Sequence, residues 1–195
     1  MTETARRESW DRFYLQMADL IASRSKDRST QIGAVLVRGN AVLSMGYNGF
    51  PRGVDDDVES RHERPAKYAY TEHGERNAIY NAAREGICTK DATMYTQGVP
   101  CQDCARAVIQ AGIARVVAYY QAGPDHLPAW EASCAIGREM MEEAGVQVVV
   151  VNAKCKCGER GSDDPHTCPF AEDVHRSSVE CNCCDACAAE CAMDI

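Results

Sequence analysis

Two short segments with metal-binding side chains constrain this chain more than any other feature of its sequence. His73 and Glu75 stand in HGE, and Cys101 and Cys104 stand in PCQDC. Each segment opens a predicted helix: HGERNAIYNAAREG begins at His73, and CQDCARAVIQAG begins at Cys101, just after Pro100. A strand, ATMYTQ, is predicted between them. The fold must bring two helix N-termini together if these side chains are to share one ion.

The ligand set is typical of a catalytic zinc. Helix N-termini favour thiolate over thiol. His73, Cys101 and Cys104 supply three ligands and leave a fourth tetrahedral position open, whereas a structural zinc is closed by four protein ligands. Zinc lowers the pKa of a water at that position towards neutrality. Glu75 is close enough to move protons there, first as base and then as acid.

The two segments together are far more specific than either alone. A C-x-x-C pair also occurs at Cys181 and Cys184, so that spacing by itself says little. H-x-E at one helix start and P-C-x-x-C at the next is the known signature of the zinc-dependent deaminases. The alternative is that Cys101 and Cys104 are ordinary buried thiols and that His73 caps a helix. The ordered elements around the motif disfavour this alternative.

Length and composition indicate one soluble folded domain. The chain has 195 residues, of which 45% are hydrophobic, enough for one core and too few for two ordinary domains. The first residues, MTETARRESWDRF, contain no apolar stretch typical of a secretory signal, and apolar runs such as VVVV are too short to cross a membrane. We therefore expect a cytoplasmic protein with reduced cysteines, in which many cysteines indicate metal ligands.

The charge balance limits the class of ligand. A net charge of −8 argues against recognition of nucleic acid through its phosphates. A small phosphorylated ligand needs only a local basic cluster, and RSKDR at residues 24–28 provides one.

Strands and helices alternate through residues 1–152, which we take as the catalytic domain. The first helix, SWDRFYLQMADLIASRS, is predicted to be capped by Ser9 and to be amphipathic. Two apolar strands then meet at a tight Gly39-Asn40 turn, and a polar loop follows to about residue 71. The alternation implies a partly parallel sheet that is covered on both faces. The apolar face of the first helix is formed by Phe13, Met17, Leu20 and Ile21.

The chain resembles the deoxycytidylate (dCMP) deaminase family from about Trp10 to Val151. The matching blocks are RSKDRSTQIGAVLV, GYNGFPRG, KYAYTEHGERNAI, ATMYTQGVPCQDCARAVIQAGI and AGVQVV. The resemblance implies a three-layer α/β/α sandwich around a five-stranded mixed sheet, and hydrolysis of dCMP to dUMP and ammonia for thymidylate synthesis. It also implies a homo-oligomer, a hexamer or a dimer, with dCTP and dTTP as effectors. When the functional residues of the family are carried over to the matching positions, His73, Cys101 and Cys104 are the zinc ligands and Glu75 is the residue that moves protons.

Substrate contacts are predicted from chemistry as well as from the family blocks. The side chain of Asn48 suits a sugar hydroxyl or a base edge, although Asn-Gly is also a favoured turn pair. A 5′-phosphate suits charge-assisted bonds, but basic side chains also favour a helix C-terminus. Lys67 and Tyr68 precede the zinc helix and match the family's KY, so we expect a nucleotide contact there. The predicted phosphate contacts are Arg24, Lys26, Arg28 and Ser29.

The family pattern does not account for two features. Gly74 stands where the family usually has alanine, a change that costs little in the first turn of a helix. Residues 153–195 hold eight of the twelve cysteines. A disordered tail, or a stripe of small residues packing on a neighbour, is the alternative to a second metal site there. The candidate ligands of that site are Cys155, Cys157, His166 and Cys168, with a further group at Cys181, Cys183, Cys184, Cys187 and Cys191.

Two other functions remain open from the sequence. The substrate could be another cytosine compound: a modified dCMP, a nucleoside or base, or a nucleic-acid base. A non-catalytic metal-binding or regulatory protein on a deaminase scaffold is the second alternative, and it leaves Glu75 without a purpose.

Overall fold

The predicted order of helices and strands is confirmed in the computed structural model, which describes residues 3–120 and 128–152. The helices are α1 (Glu3–Ala22), α2 (Lys67–Tyr70), α3 (Gly74–Arg84), α4 (Gln102–Gln110) and α5 (Pro128–Glu143). The strands are β1 (Gly33–Arg38), β2 (Ala41–Tyr47), β3 (Thr93–Thr96), β4 (Arg115–Tyr120) and β5 (Gln147–Asn152). A single 3-10 turn, Glu59–Arg61, interrupts the polar loop between β2 and α2.

The five strands form one mixed sheet in the order β2-β1-β3-β4-β5. Strand β1 pairs antiparallel with β2 and with β3, and β3 pairs parallel with β4. The predicted tight turn joins β1 to β2, with Gly39 and Asn40 both in the left-handed region at φ 56° and 63°. Those two angles suit the primed turns that match the twist of a hairpin.

Helices cover both faces of the sheet, because alternate residues of β1 point into two separate cores. Ala34 and Leu36 pack with α3, α4 and α5. Val35 and Val37 pack with α1 on the other face. The arrangement is a three-layer α/β/α sandwich, as the sequence analysis expects.

The buried face of α1 differs from its predicted apolar face. Phe13 is 48% exposed and Leu20 is 69% exposed, whereas Met17 and Ile21 are half-buried at the edge of the core. The backbone of α1 lies so close to β1 that a Cβ on Gly33 would stand 2.3 Å from the Ala18 carbonyl oxygen. The buried face is instead formed by Tyr14, Leu15, Ala18 and Ala22, with the two alanines at the closest approach to β1. The prediction that Ser9 caps this helix is also wrong, because α1 already begins at Glu3.

The predicted second metal site, at Cys155, Cys157, His166 and Cys168, lies outside the described residues, as does the rest of segment 153–195. Within the described part of the chain, no helix is both long enough and apolar enough to span a membrane.

Candidate metal centre

His73 is held at the N-cap of α3 by a network of backbone hydrogen bonds. Its backbone is extended (φ −75°, ψ 150°), and its N–H donates to a carboxylate oxygen of Glu72 at 3.0 Å. Asn48 fixes the helix start: its Oδ1 accepts from the Gly74 N–H at 2.8 Å and its Nδ2 donates to the Thr30 carbonyl at 3.0 Å. Asn48 is only 5% exposed. This side chain therefore positions the histidine. Neither prediction for Asn48, as a substrate contact or as a turn residue, included that role.

The two cysteines occupy the first turn of α4. Cys101 is the N-cap, again with an extended backbone (φ −63°, ψ 167°), and Cys104 follows one turn later. They are 3% and 0% exposed. The helix starts of α3 and α4 therefore meet, as two N-termini must if they are to share one ion.

The three side chains converge with the spacing of a tetrahedral zinc. The Nδ1 atom of His73 lies 3.5 Å from the Cys101 Sγ and 3.4 Å from the Cys104 Sγ. All three ligand atoms lie within 4.8 Å of one another. Bonds of about 2.0–2.1 Å to nitrogen and about 2.3 Å to sulfur place such atoms roughly 3.5–3.8 Å apart on a tetrahedron. The residues present therefore fit zinc.

The three side chains of the centre also shift one another's pKa values. Hydrogen bonds from the Cys104 thiol and the His73 ring lower the pKa of Cys101 to about 4. The same contact with Cys101 raises the pKa of His73, and sharing a proton with Cys101 raises the pKa of Cys104. Glu75 is 6% exposed, and its burial raises the pKa of its carboxyl group. A proton-transfer group thus lies inside the same closed site.

A model of the cytidine and deoxycytidylate deaminase zinc-binding region matches residues 8–120. The chain belongs to this deaminase family. The match includes all four residues of the predicted centre and ends at the last residue of β4.

Relatives in this family cover the chain to different extents. A deaminase from the luxG 3′ region of Aliivibrio fischeri is 39% identical over 71% of this chain and 91% of its own length. The human deoxycytidylate deaminase is 39% identical over 55% of this chain. That alignment spans 63% of the human protein, less than two thirds of its length.

Solved structures of deaminases share the fold. The apo dCMP deaminase of cyanophage S-TIM5 superposes with a TM-score of 0.59 at 21% identity, over 77% of this chain and 100% of the phage protein. The diaminohydroxyphosphoribosylaminopyrimidine deaminase/reductase of Thermotoga maritima gives 0.52 at 20% identity, over 72% of this chain and 36% of that protein. At these sequence identities, the structural similarity establishes the fold alone.

Gly74, the departure from the usual alanine of the deaminase family, is explained by close packing. A Cβ at this position would lie 2.8 Å from the Ile32 carbonyl oxygen and 3.2 Å from the Tyr47 Cα. Both neighbours belong to the backbone, so neither can move aside cheaply. In this deaminase the absence of a side chain lets α3, and with it His73, lie directly against the sheet.

We expect Gly74→Ala to lower the free energy of unfolding by about 1–3 kcal/mol, the cost of overpacking a close contact. Urea denaturation measures this change. Gly98→Ala is the control, because a Cβ there meets nothing within 4 Å. Equal stability of the two variants would contradict the packing explanation.

Helix α5 forms one wall of the site, and this contribution was not predicted from the sequence. A Cβ on Gly137 would lie 2.4 Å from the Pro100 carbonyl oxygen, so α5 packs directly on the PCQDC turn. The Ser133 Oγ accepts from the Gln102 N–H at 3.3 Å. One turn earlier, the Trp130 ring lies edge-to-face on His73, with centroids 5.5 Å apart. The spacing of positions 130, 133 and 137 is the one signal that could have placed them on one helix face.

The predicted phosphate contacts are mostly paired with carboxylates. Lys26 bonds to Asp56 at 2.7 Å, and Arg28 forms two bonds with Glu59. Arg24 is exposed, and no ion pair joins it to another described residue. The charge of the basic stretch is therefore largely matched by the acidic loop.

Lys67 is part of a buried ion pair rather than an open cation. Its Nζ donates to both carboxylate oxygens of Asp27, at 2.9 and 3.0 Å, and to the Ser29 hydroxyl. Lys67 and Asp27 are 7% and 9% exposed. Tyr68, by contrast, is 60% exposed. The pair ties α2 to the segment that follows α1.

We expect Lys67→Met to lower the free energy of unfolding by about 3–5 kcal/mol, because it leaves Asp27 buried and unpaired. The double variant Asp27→Asn, Lys67→Met should recover part of that loss. Urea denaturation of both variants measures the difference. Unchanged stability with a raised KM for nucleotide would instead make Lys67 a substrate contact.

Proposed function

We propose that this chain is a zinc-dependent deaminase that hydrolyses dCMP to dUMP and ammonia and so supplies dUMP for thymidylate synthesis. The observation that carries the proposal is the convergence of His73, Cys101 and Cys104 beside the buried carboxyl group of Glu75. Relatives named deoxycytidylate deaminase at 39% identity favour dCMP among cytosine compounds. A phage protein of the same fold is known in complex with dCMP and dUMP.

Each residue of the centre has a distinct part in the proposed reaction. His73, Cys101 and Cys104 would hold zinc, whose chemistry is to make water nucleophilic near neutral pH. Glu75 accepts a proton from the attacking water and passes it to the ring nitrogen next to the carbon under attack. It then takes the proton of the newly added hydroxyl group and passes it to the departing amine, so that the carbonyl of the product forms as the carbon–nitrogen bond breaks and ammonia leaves. Burial of Glu75 keeps bulk water from competing for these protons.

The proposed phosphate contacts follow from the charges around residues 24–28. Arg24 is the exposed cation that needs no carboxylate to be displaced, so we assign it the first contact with a 5′-phosphate. Lys26 and Arg28 would exchange Asp56 and Glu59 for the phosphate, which is feasible because both pairs are exposed. Ser29, Lys67 and Tyr68 complete the predicted set, with Lys67 acting through its bond to Ser29.

Further properties are carried over from the resemblance as proposals. These are a homo-oligomeric state and regulation by dCTP and dTTP. A location in the cytoplasm is proposed from the sequence itself. We also propose a catalytic domain over residues 1–152 and a second metal site in the cysteine-rich segment that follows.

Ammonia release from a panel of substrates tests the proposed function. The panel is dCMP, dCTP, deoxycytidine and a cytosine oligonucleotide, each with and without added dCTP and dTTP. We expect the largest kcat/KM with dCMP. Ammonia from the oligonucleotide or the nucleoside but not from dCMP would reassign the substrate, and no ammonia from any of them would overturn the proposal.

A further inference from the structure

Trp130 stands beside the metal centre without a part in the reaction described so far. Its ring lies 5.5 Å from the His73 ring, centroid to centroid, with 66° between the planes. The residue nevertheless remains 38% exposed. In the described part of the chain, a partly exposed aromatic ring therefore adjoins a proposed zinc ligand.

The position of this ring is set by the packing of α5. Gly137 lies directly against Pro100 and Cys101, and Ser133 accepts a hydrogen bond from the start of α4. Trp130 lies on the same face of α5 as these two residues, at the spacing of successive helical turns. Its distance from the centre is thus fixed by backbone contacts.

Among the four residues of the centre, His73 is the one that is accessible from outside. Cys101, Cys104 and Glu75 are buried, whereas His73 is half-buried. Behind His73, Gly74 and Asn48 close the site against the sheet. The side of His73 that Trp130 contacts is therefore the candidate approach for a substrate ring.

We propose that Trp130 forms one wall of the base pocket and stacks on the planar pyrimidine ring of the substrate. The inference rests on the proposed function and adds a substrate-binding residue to it. Aromatic rings bind bases through their faces, and indole offers the largest face of any side chain. The contact between Trp130 and His73 also limits rotation of the ligand ring.

Steady-state kinetics separate this contact from a structural role. We expect Trp130→Ala to raise the KM for dCMP by about 10-fold to 100-fold, the effect of losing one base–aromatic stack. Zinc content should be unchanged, and kcat should fall less than KM rises. The Trp130→Phe variant keeps an aromatic face, so its KM for dCMP should stay near the wild-type value. A fall in kcat with an unchanged KM would overturn the inference.

Tryptophan fluorescence tests the same contact without turnover. The chain has two tryptophans, and Trp10 stacks on Tyr14 of α1, on the other face of the sheet. In Trp10→Phe protein, the emission excited near the red edge of tryptophan absorption therefore reports Trp130 alone. We expect titration with dUMP to change that emission saturably, with the affinity found by equilibrium dialysis. Trp130→Phe protein, which retains Trp10, is the matched control and should not respond.

The possible results distinguish this inference from the function on which it rests. Binding of dUMP by dialysis with unchanged emission from Trp130 would overturn the inference and leave the deaminase activity intact. If the protein neither binds dUMP nor releases ammonia from dCMP, the proposed function is overturned, and the inference with it.

Discussion

Replacing Glu75 by Gln is expected to lower kcat for dCMP by about 10²-fold to 10⁴-fold, the usual contribution of a general acid–base group. Glutamine has nearly the same size and keeps the hydrogen-bonding oxygen, but its amide cannot accept and return a proton. The side chain lies in a buried site, so bulk water cannot replace its function. Ammonia release at neutral pH measures the loss.

The same substitution at the other end of α3 provides the control. Glu85 is exposed and directly follows the last residue of the helix. Glu85→Gln should keep kcat within about twofold of wild type, since exposed surface substitutions away from such sites have small effects. Zinc content should be equal in the two variants. Full turnover by the Glu75→Gln variant would contradict the assignment of Glu75 as the group that transfers protons.

Replacing Cys104 by Ser is expected to remove about one zinc per chain and to lower activity by roughly 10³-fold or more, since the metal supplies several kcal/mol of catalysis. Cys104 is fully buried and its Sγ lies 3.4 Å from the His73 Nδ1, and among the described residues the metal-binding group here consists of His73, Cys101 and Cys104. Elemental analysis of the variant and the wild-type protein, both as full chains, measures the difference, because any metal held by the other cysteines is common to both and cancels.

Cys88→Ser is the matched control for this prediction. Cys88 is an exposed thiol outside the metal centre. Its replacement should change neither zinc content nor activity. Equal zinc in Cys104→Ser and wild-type protein would contradict the assignment of the ligand.

The residues of the metal centre could be predicted from the sequence because each of its two segments is a local motif at a helix start. A residue at a helix start has its direction fixed by the helix, so HGE and PCQDC each define where their side chains point. The tight turn at Gly39 and Asn40 was predictable for the same reason, since only a few residues adopt positive φ readily.

Features that depend on the choice of tertiary partner were not predictable. The exposure of Phe13 and Leu20 follows from how closely α1 approaches Gly33, and the sequence of α1 contains no sign of that distance. The pairing of Lys26 with Asp56 joins residues 30 positions apart across a loop. Trp130 contacts His73 because α5 packs on α4, which no local pattern fixes.

Anomalous diffraction at the zinc absorption edge, from crystals of the full chain, tests the central claim most directly. We predict a peak enclosed by His73, Cys101 and Cys104, about 2.0–2.1 Å from nitrogen and about 2.3 Å from each sulfur. Full occupancy of that position in active protein would establish the three-ligand centre. Active crystals with no anomalous peak between these side chains would contradict it.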